Sequence, residues 1–241
     1  MKLIGYLPTG FPSLKRSMEI AELYIKGGCD GIEMSFPYAN PIYEPTNVAA
    51  AMLYSLWKCD DYNQYLDTIR EFKRSNTEAS TISLVNTGTV REIGIEKYVQ
   101  FYKDAKMECM VLPGNDPDLR TELLEKGVHV HSHIGWDLLE SDIERAKATE
   151  GGLIYAPGVP IPGFEIHEGI HDLIDVINYI KNSGVKQPVY CGVGIRTPED
   201  VKRLRDAGAD GVFLGSSLMF NFDNDERLLH VLDGFDKAAH E

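Results

Sequence analysis

The sequence predicts an α/β protein, a closed (β/α)8 TIM barrel spanning 1–241 as a single domain. Two observations predict it. Short apolar runs alternate with longer amphipathic stretches eight times along 241 residues, and no linker, low-complexity segment or composition break divides the chain. Strands alternating with helices of ten or more residues imply parallel strands joined by right-handed crossovers. Eight such units in a chain of this length fit a barrel; a doubly wound open sheet is the rival arrangement. A hydrophobic content of 43% is enough for one large core.

The strands are expected at 2–7 "KLIGYL", 30–36 "DGIEMSF", 80–86 "STISLVN", 107–113 "MECMVLP", 128–132 "VHVHS", 152–156 "GLIYA", 188–193 "PVYCGV" and 211–214 "GVFL". The first helix, "SLKRSMEIAELYIKGG", has Ser13 as its N-cap, places Leu14, Met18, Ala21 and Ile25 on one face, and ends at a glycine pair. "TPEDVKRLRDAG" takes Thr197 as cap, Pro198 at the first helical position and acids in the first turn, and stops at Gly208. Further helices read at 46–74 (as two), 94–105, 116–126, 137–148, 167–182 and 223–239. One echo recurs, "GGCDGIEM" and "AGADGVFLG": each is a helix end, a turn and a buried strand.

The formal net charge of -13 argues against nucleic acid or an anionic membrane as partner. It leaves room for a phosphorylated small molecule, because a local nest of backbone N–H groups binds an anion on an acidic protein. Cys29, Cys59, Cys109 and Cys191 form no CxxC pair and read as reduced thiols. No apolar run approaches the roughly 18 residues of a membrane span, and "MKLIGYLPTG" enters a strand directly rather than a signal peptide. A cytoplasmic protein is expected.

In such a barrel, chemistry belongs at the C-terminal strand ends. There, strand seven ends in Gly192-Val193-Gly194 and strand eight in Gly215-Ser216-Ser217. Glycine lets backbone N–H groups approach an anion without a Cβ in the way. "GSSLMF" reads as a short extra helix whose first N–H groups point to the same place. Gly163, after strand six, is a third candidate for the phosphate site, or the pivot of a proline-rich turn. Glu33 lies within strand two near its C-terminal end. A buried carboxylate there is costly unless paired or functional, and desolvation raises its pKa towards the range useful for proton transfer. A structural glutamate is the alternative. "HVHSH" sets His129, His131 and His133 on one face of strand five; three alternate positions span about 13 Å, too far for one metal. His133 is the one near the pocket end. No other spacing suggests a metal. Tyr155, ending strand six, reads as a plain strand tyrosine. Arg196, just after the strand-seven glycines, reads as an exposed residue at a helix start, with a phosphate partner as the alternative.

"IEMSFPYANPIYEPT" resembles the strand-two and loop-two segment of the tryptophan synthase alpha subunit family, (I/L)ELG(I/V)P(F/Y)SDP(L/V)ADGPT. "GYLPTGFPS" resembles that family's first strand and turn, and "GVGIRTPEDVKRLRDAGADGVFLGSSLM" its phosphate-binding end. The resemblance covers nearly the whole chain; its strand-two motif is the specific part. It implies a lyase that cleaves indole-3-glycerol phosphate to indole and glyceraldehyde 3-phosphate by a retro-aldol reaction. Glu33 matches the family's acid/base. Glu44 falls on the loop-two aspartate that holds the indole N–H, with one glycine deleted. Gly194, Gly215 and Ser216 fall on the phosphate contacts, Gly163 more loosely, Tyr6 on the aromatic that lines the indole pocket, and Tyr155 roughly on a pocket tyrosine of the family. No cofactor is implied, since the protonated indole is its own electron sink, and the implied partner is a tryptophan synthase beta chain.

The chain departs from the family at several points. Glu44 stands for an aspartate, "ANP" at 39–41 for "SDP", and Met34-Ser35 for Leu-Gly. Asn86 alone answers a Tyr-x-Asn pattern, Gly114 replaces an aspartate after strand four, and "PGVPIPG" lacks the loop-six threonine. These changes leave open a related aldolase or lyase on another phosphorylated substrate, a different phosphate barrel such as an epimerase, and a phosphate-binding regulatory paralogue.

Overall fold

The computed structural model describes residues 1–42, 44–161, 163–192 and 194–241. Its elements run β1 Lys2–Pro8, α1 Leu14–Lys26, β2 Gly31–Ser35, α2 Thr46–Lys58, α3 Tyr62–Ser75, β3 Ser80–Leu84, α4 Thr87–Ile93, α5 Ile95–Asp104, β4 Cys109–Val111, α6 Pro117–Glu125, β5 Ser132–His133, α7 Glu140–Ala148, β6 Ile154–Pro157, α8 Leu173–Asn182, β7 Val189–Gly192, α9 Pro198–Asp206, β8 Gly211–Leu214, α10 Ser216–Met219 and α11 Asp225–His240. All strand pairs are parallel, in the order β4-β3-β2-β1-β8-β7-β6-β5. A parallel bridge between Met110 and Val130 joins the two ends. The sheet is therefore a closed (β/α)8 barrel, and the open-sheet alternative falls.

The expected caps form. Ser13 accepts the Arg16 N–H at 3.1 Å, and Thr197 with Asp200 makes a capping box on α9. The buried face of α1 is Ser17, Ile20, Ala21 and Tyr24, rotated from the expected one; Leu14, Met18 and Ile25 are only partly buried at its flank. Gly5 in β1 explains the rotation. A Cβ there would lie 2.3 Å from the Tyr24 ring, so the glycine admits the ring. Tyr24 then donates its hydroxyl to the Tyr6 carbonyl at 2.9 Å, fixing the strand that carries Tyr6.

The echo has a cause. Asp30 accepts the Leu3 N–H at 2.7 Å, and Asp210 accepts the Val189 N–H at 2.8 Å. Each aspartate, standing just before its own strand, satisfies a donor at the start of the strand beside it. The glycine that follows is also required: a Cβ on Gly31 would meet Ser80 at 2.4 Å, and one on Gly211 the Tyr190 ring at 2.7 Å.

Boundaries moved where local chemistry overrode periodicity. Asn86, expected in strand three, caps an additional helix, α4, by accepting the Gly88 N–H at 2.9 Å. The expected pair at 46–74 separates before Asp61, which caps α3. The helix expected from 137 starts at 140, because Leu138 has φ 46, a left-handed conformation that an α-helix excludes. The one expected from 167 starts after the Asp172 capping box. Strand five is two residues, not 128–132: Val130 makes only the single bridge to Met110. Val193, in the expected seventh strand, and Pro162, in the loop after β6, lie outside the described residues.

Two apolar layers result. Ile32, Met34, Val212 and Leu214 pack outward against the helices, whereas Ile4, Tyr6, Ile82, Tyr190 and Phe213 fill the barrel. Among the described residues no helix is long and apolar enough to cross a membrane.

Candidate active site

All five residues of β2 are buried. Ile32 and Met34 belong to the outer layer, so strand alternation turns Glu33 into the barrel. Its register neighbours are Tyr6 on β1 and Ile82 on β3, both of the inner layer. Glu33 is 3% exposed, and its Oε1 has no hydrogen-bond partner. Burial, assisted by the charge of Glu44, pushes its pKa up to about 8. A carboxyl so placed is protonated at neutral pH yet close to losing that proton.

Glu44 lies half-buried in the loop before α2. Burial raises its pKa and the Tyr38 hydroxyl, which donates to Oε1 at 3.1 Å, opposes that rise. Tyr38 itself is 5% exposed. Tyr6 shares its hydroxyl with the Ser35 hydroxyl at 2.9 Å; burial first, and then Glu44 and Glu33, push its pKa up. Tyr155 on β6 feels both carboxylates as well. Its ring stacks on Phe213 at 5.3 Å, and its hydroxyl fills the space that a Cβ on Gly192 would need. Glu33, Glu44, Tyr6 and Tyr155 thus share one electrostatic environment at the C-terminal end of the barrel, with Tyr38 beside Glu44.

Gly194 has φ 86, and a Cβ there would strike Val159 of the loop after β6 at 2.8 Å, so glycine is required twice over. Gly215 precedes α10, and a Cβ on it would lie 3.8 Å from the Tyr6 ring. The N–H groups of Ser216 and Ser217 open α10 and have no intrahelical carbonyl to reach. The Ser217 hydroxyl is buried without a partner. From α2, Asn47 Nδ2 lies 3.2 Å from Ser216 Oγ. The structure thereby brings Tyr6, Gly215 and Ser216 together. Gly163, with φ 89, stands in an exposed loop with nothing within 4 Å of its Cβ position, so no contact draws it to the other two glycines.

Of the strand-five histidines, His129 is exposed, while His131 and His133 both pack against Tyr155. His131 Nδ1 accepts the Leu112 N–H, and burial pushes its pKa down to about 3: it is a neutral core residue. Burial lowers the His133 pKa as well. Arg196 is exposed. Among the described residues no three His, Cys, Asp or Glu side chains are grouped to hold a metal. A groove of about 830 Å3 lies outside the barrel between α7 and α8, lined by Leu139, Lys147, His167 and Tyr179, and shares none of its lining residues with this site. Sequence reasoning passed over Tyr38, Ser35 and Asn47. Each is a polar residue within 14 positions of Glu33, and that proximity was the available signal.

A family model described as tryptophan synthase alpha chain matches residues 1–233. The tryptophan synthase alpha chain of Caldicellulosiruptor saccharolyticus is 25% identical over 226 residues, covering 91% of this chain and 86% of the relative. That of Arabidopsis thaliana is 26% identical over 249 residues, covering 98% and 88%. Among solved structures, a chain from Aquifex aeolicus VF5 superposes with a TM-score of 0.87 at 17% identity, covering 100% of this chain and 93% of that one. Tryptophan synthase subunit alpha from Legionella pneumophila gives 0.84 at 18%, covering 99% and 92%. The solved structures carry the fold; the family model carries the membership.

Proposed function

The chain belongs to the tryptophan synthase alpha chain family, and from that premise we infer that it is a lyase cleaving indole-3-glycerol phosphate to indole and glyceraldehyde 3-phosphate, with Glu33 as its proton-transfer group. The observation that carries the assignment is the isolation of the Glu33 carboxyl. It is 3% exposed, with an unpartnered oxygen and a pKa near 8.

The reaction uses both protonation states of that group. The protonated carboxyl gives its proton to the indole carbon bearing the side chain, and the ring nitrogen becomes positive. Glu44, as carboxylate, accepts the ring N–H and stabilises that charge; the Tyr38 hydrogen bond helps keep it ionised. The Glu33 carboxylate then takes the proton of the hydroxyl on the adjoining carbon. That carbon becomes the aldehyde, the carbon–carbon bond breaks, and its electron pair returns to the indole ring. Proton and electrons balance without any cofactor. Tyr6 and Tyr155 wall the ring site. The N–H groups near Gly194, Gly215 and Ser216 anchor the phosphate.

The partner is a tryptophan synthase beta chain. Ile42 stands out at 68% exposure on loop two, Phe164 at 63% on the loop after β6, and Trp57 at 74% near the end of α2, where its ring meets Tyr54 and Lys58; exposed apolar side chains of this kind suit a protein partner. The four cysteines are free thiols, which fits the cytoplasm. The test is indole release from indole-3-glycerol phosphate, with and without an added beta chain, with Glu33→Gln as control. No indole from either parent sample, or undiminished release from the variant, overturns the reading.

A further inference from the structure

Asn47 is a polar side chain that neither the carboxylate pair nor the phosphate anchor accounts for. It sits in the first turn of α2, three residues after Glu44. That turn has no side-chain cap, because Pro45 occupies the capping position. Asn47 reaches instead to α10. Its Nδ2 lies 3.2 Å from Ser216 Oγ and 3.8 Å from Met219 Sδ, and its Oδ1 lies 3.3 Å from the same Ser216 oxygen. A hydroxyl has one proton and two lone pairs, and an amide offers both a donor and an acceptor. The pair therefore bonds in two ways. Either Ser216 donates to Oδ1, or Ser216 accepts from Nδ2 and its own proton is free for another acceptor. A phosphate oxygen at α10 is such an acceptor, and the bond to it is charge-assisted.

We propose that Asn47 is a positioning residue: its amide turns the Ser216 hydroxyl towards the substrate's phosphate and so ties phosphate occupancy to the placement of Glu44. The inference rests on the phosphate reading of Ser216 given above. Asn47 and Glu44 share one short covalent span, so a bond that tightens at Ser216 also fixes where Glu44 stands. Binding energy at the remote phosphate is thereby converted into orientation at the reacting ring.

Two variants and two substrates test this. Asn47→Leu keeps the bulk and removes both bonds. Asn47→Asp keeps the shape, takes the Ser216 proton and sets a negative charge against the phosphate. On indole-3-glycerol phosphate, Asn47→Leu should lower kcat/KM about threefold to tenfold, with kcat falling as well as KM rising. Asn47→Asp should lower it on the order of a hundredfold. On indoleglycerol, which lacks the phosphate, both should stay within about twofold of the parent. Equal losses on the two substrates, or an aspartate no worse than leucine, would overturn the proposal. Calorimetric binding of glycerol 3-phosphate reads the same bond without turnover, and affinity should fall from parent to Leu to Asp. Unchanged affinity across the three, or a parent that does not bind, sinks the proposal. That order of affinities in a protein that releases no indole supports it and sinks only the assigned reaction.

Discussion

The two ends of the barrel treat polar groups in opposite ways. At the N-terminal end Asp30 and Asp210 each accept a buried strand N–H, and the Ser80 hydroxyl donates to Glu108 at 2.6 Å. At the C-terminal end the Glu33 carboxyl and the Ser217 hydroxyl each leave a buried oxygen without a partner. Burying an unpaired polar group costs stability. The first end uses these groups to hold the strands, although the Thr81 hydroxyl near the start of β3 is buried there without a partner. The second leaves bonding capacity unfilled, which is what a substrate needs to find. The difference teaches where to look for function: in the groups the fold declines to satisfy.

The sharpest way to break this contrast is at Glu33. Glu33→Gln should lower kcat by about 10³-fold in an indole-release assay. The same change should raise thermal stability at pH 8. The folded pKa near 8 exceeds the ordinary 4.5, so the stability tied to this proton is full below pH 4.5 and declines as pH climbs through 8. Melting curves of parent and variant should coincide at low pH and separate at high pH; a less stable variant at pH 8 would refute the isolated carboxyl.

Asp210→Asn is the matching change at the other end. It weakens the bond to the Val189 N–H and the ion pair with Lys181, and should cost about 1–3 kcal/mol in denaturant unfolding. The kcat of the folded fraction should be unaltered. A change in kcat with no loss of stability would erase the division between the two ends.

Tyr38→Phe should act more mildly. It removes the bond that lowers the Glu44 pKa, so the acid limb of the pH–rate profile should move to higher pH, with a loss of about threefold to tenfold in kcat/KM near neutrality. An unmoved acid limb would separate Glu44 from the chemistry. The smallest effect is expected at His240, which bonds Asp236 at 2.7 Å and Asp30 at 3.0 Å. Burial opposes its charge, but the two carboxylates prevail and its pKa is raised above 6.5. The stability it adds is full below pH 6.5 and lost as pH rises through the folded value. His240→Gln should therefore lower the melting temperature at pH 5.5 and leave it unaltered at pH 9.

The barrel was legible because parallel strands buried on both faces write continuous apolar runs, and because Ser13, Thr197 and Gly208 mark helix ends by chemistry rather than by averages. What failed was local competition. Leu138 looked helical but is held left-handed, Asn86 looked like strand but caps a helix, and the face of α1 was set by a glycine on another element. In the candidate site, Glu33 was readable as a charge in an apolar run. Tyr38 and Asn47 were not, because their roles depend on atoms six and 169 residues away. Periodicity carries no record of such partners.

The junction between β4 and β5 sets how the molecule breathes. The Met110 N–H reaches the His129 carbonyl at 2.8 Å, and the His131 N–H returns to Met110 at 2.9 Å; β1 and β2, by contrast, pair over five positions. A cylinder so joined opens along one line first. Amide protons of Met110 and His131 should exchange with solvent ahead of those in β1 and β2. The polypeptide can also be divided beside that line, in the turn around Asn115, into two four-stranded pieces that meet along β1–β8. Mixed together, those pieces should rebuild the barrel from an amino-terminal part carrying both carboxylates and a carboxy-terminal part carrying the phosphate glycines.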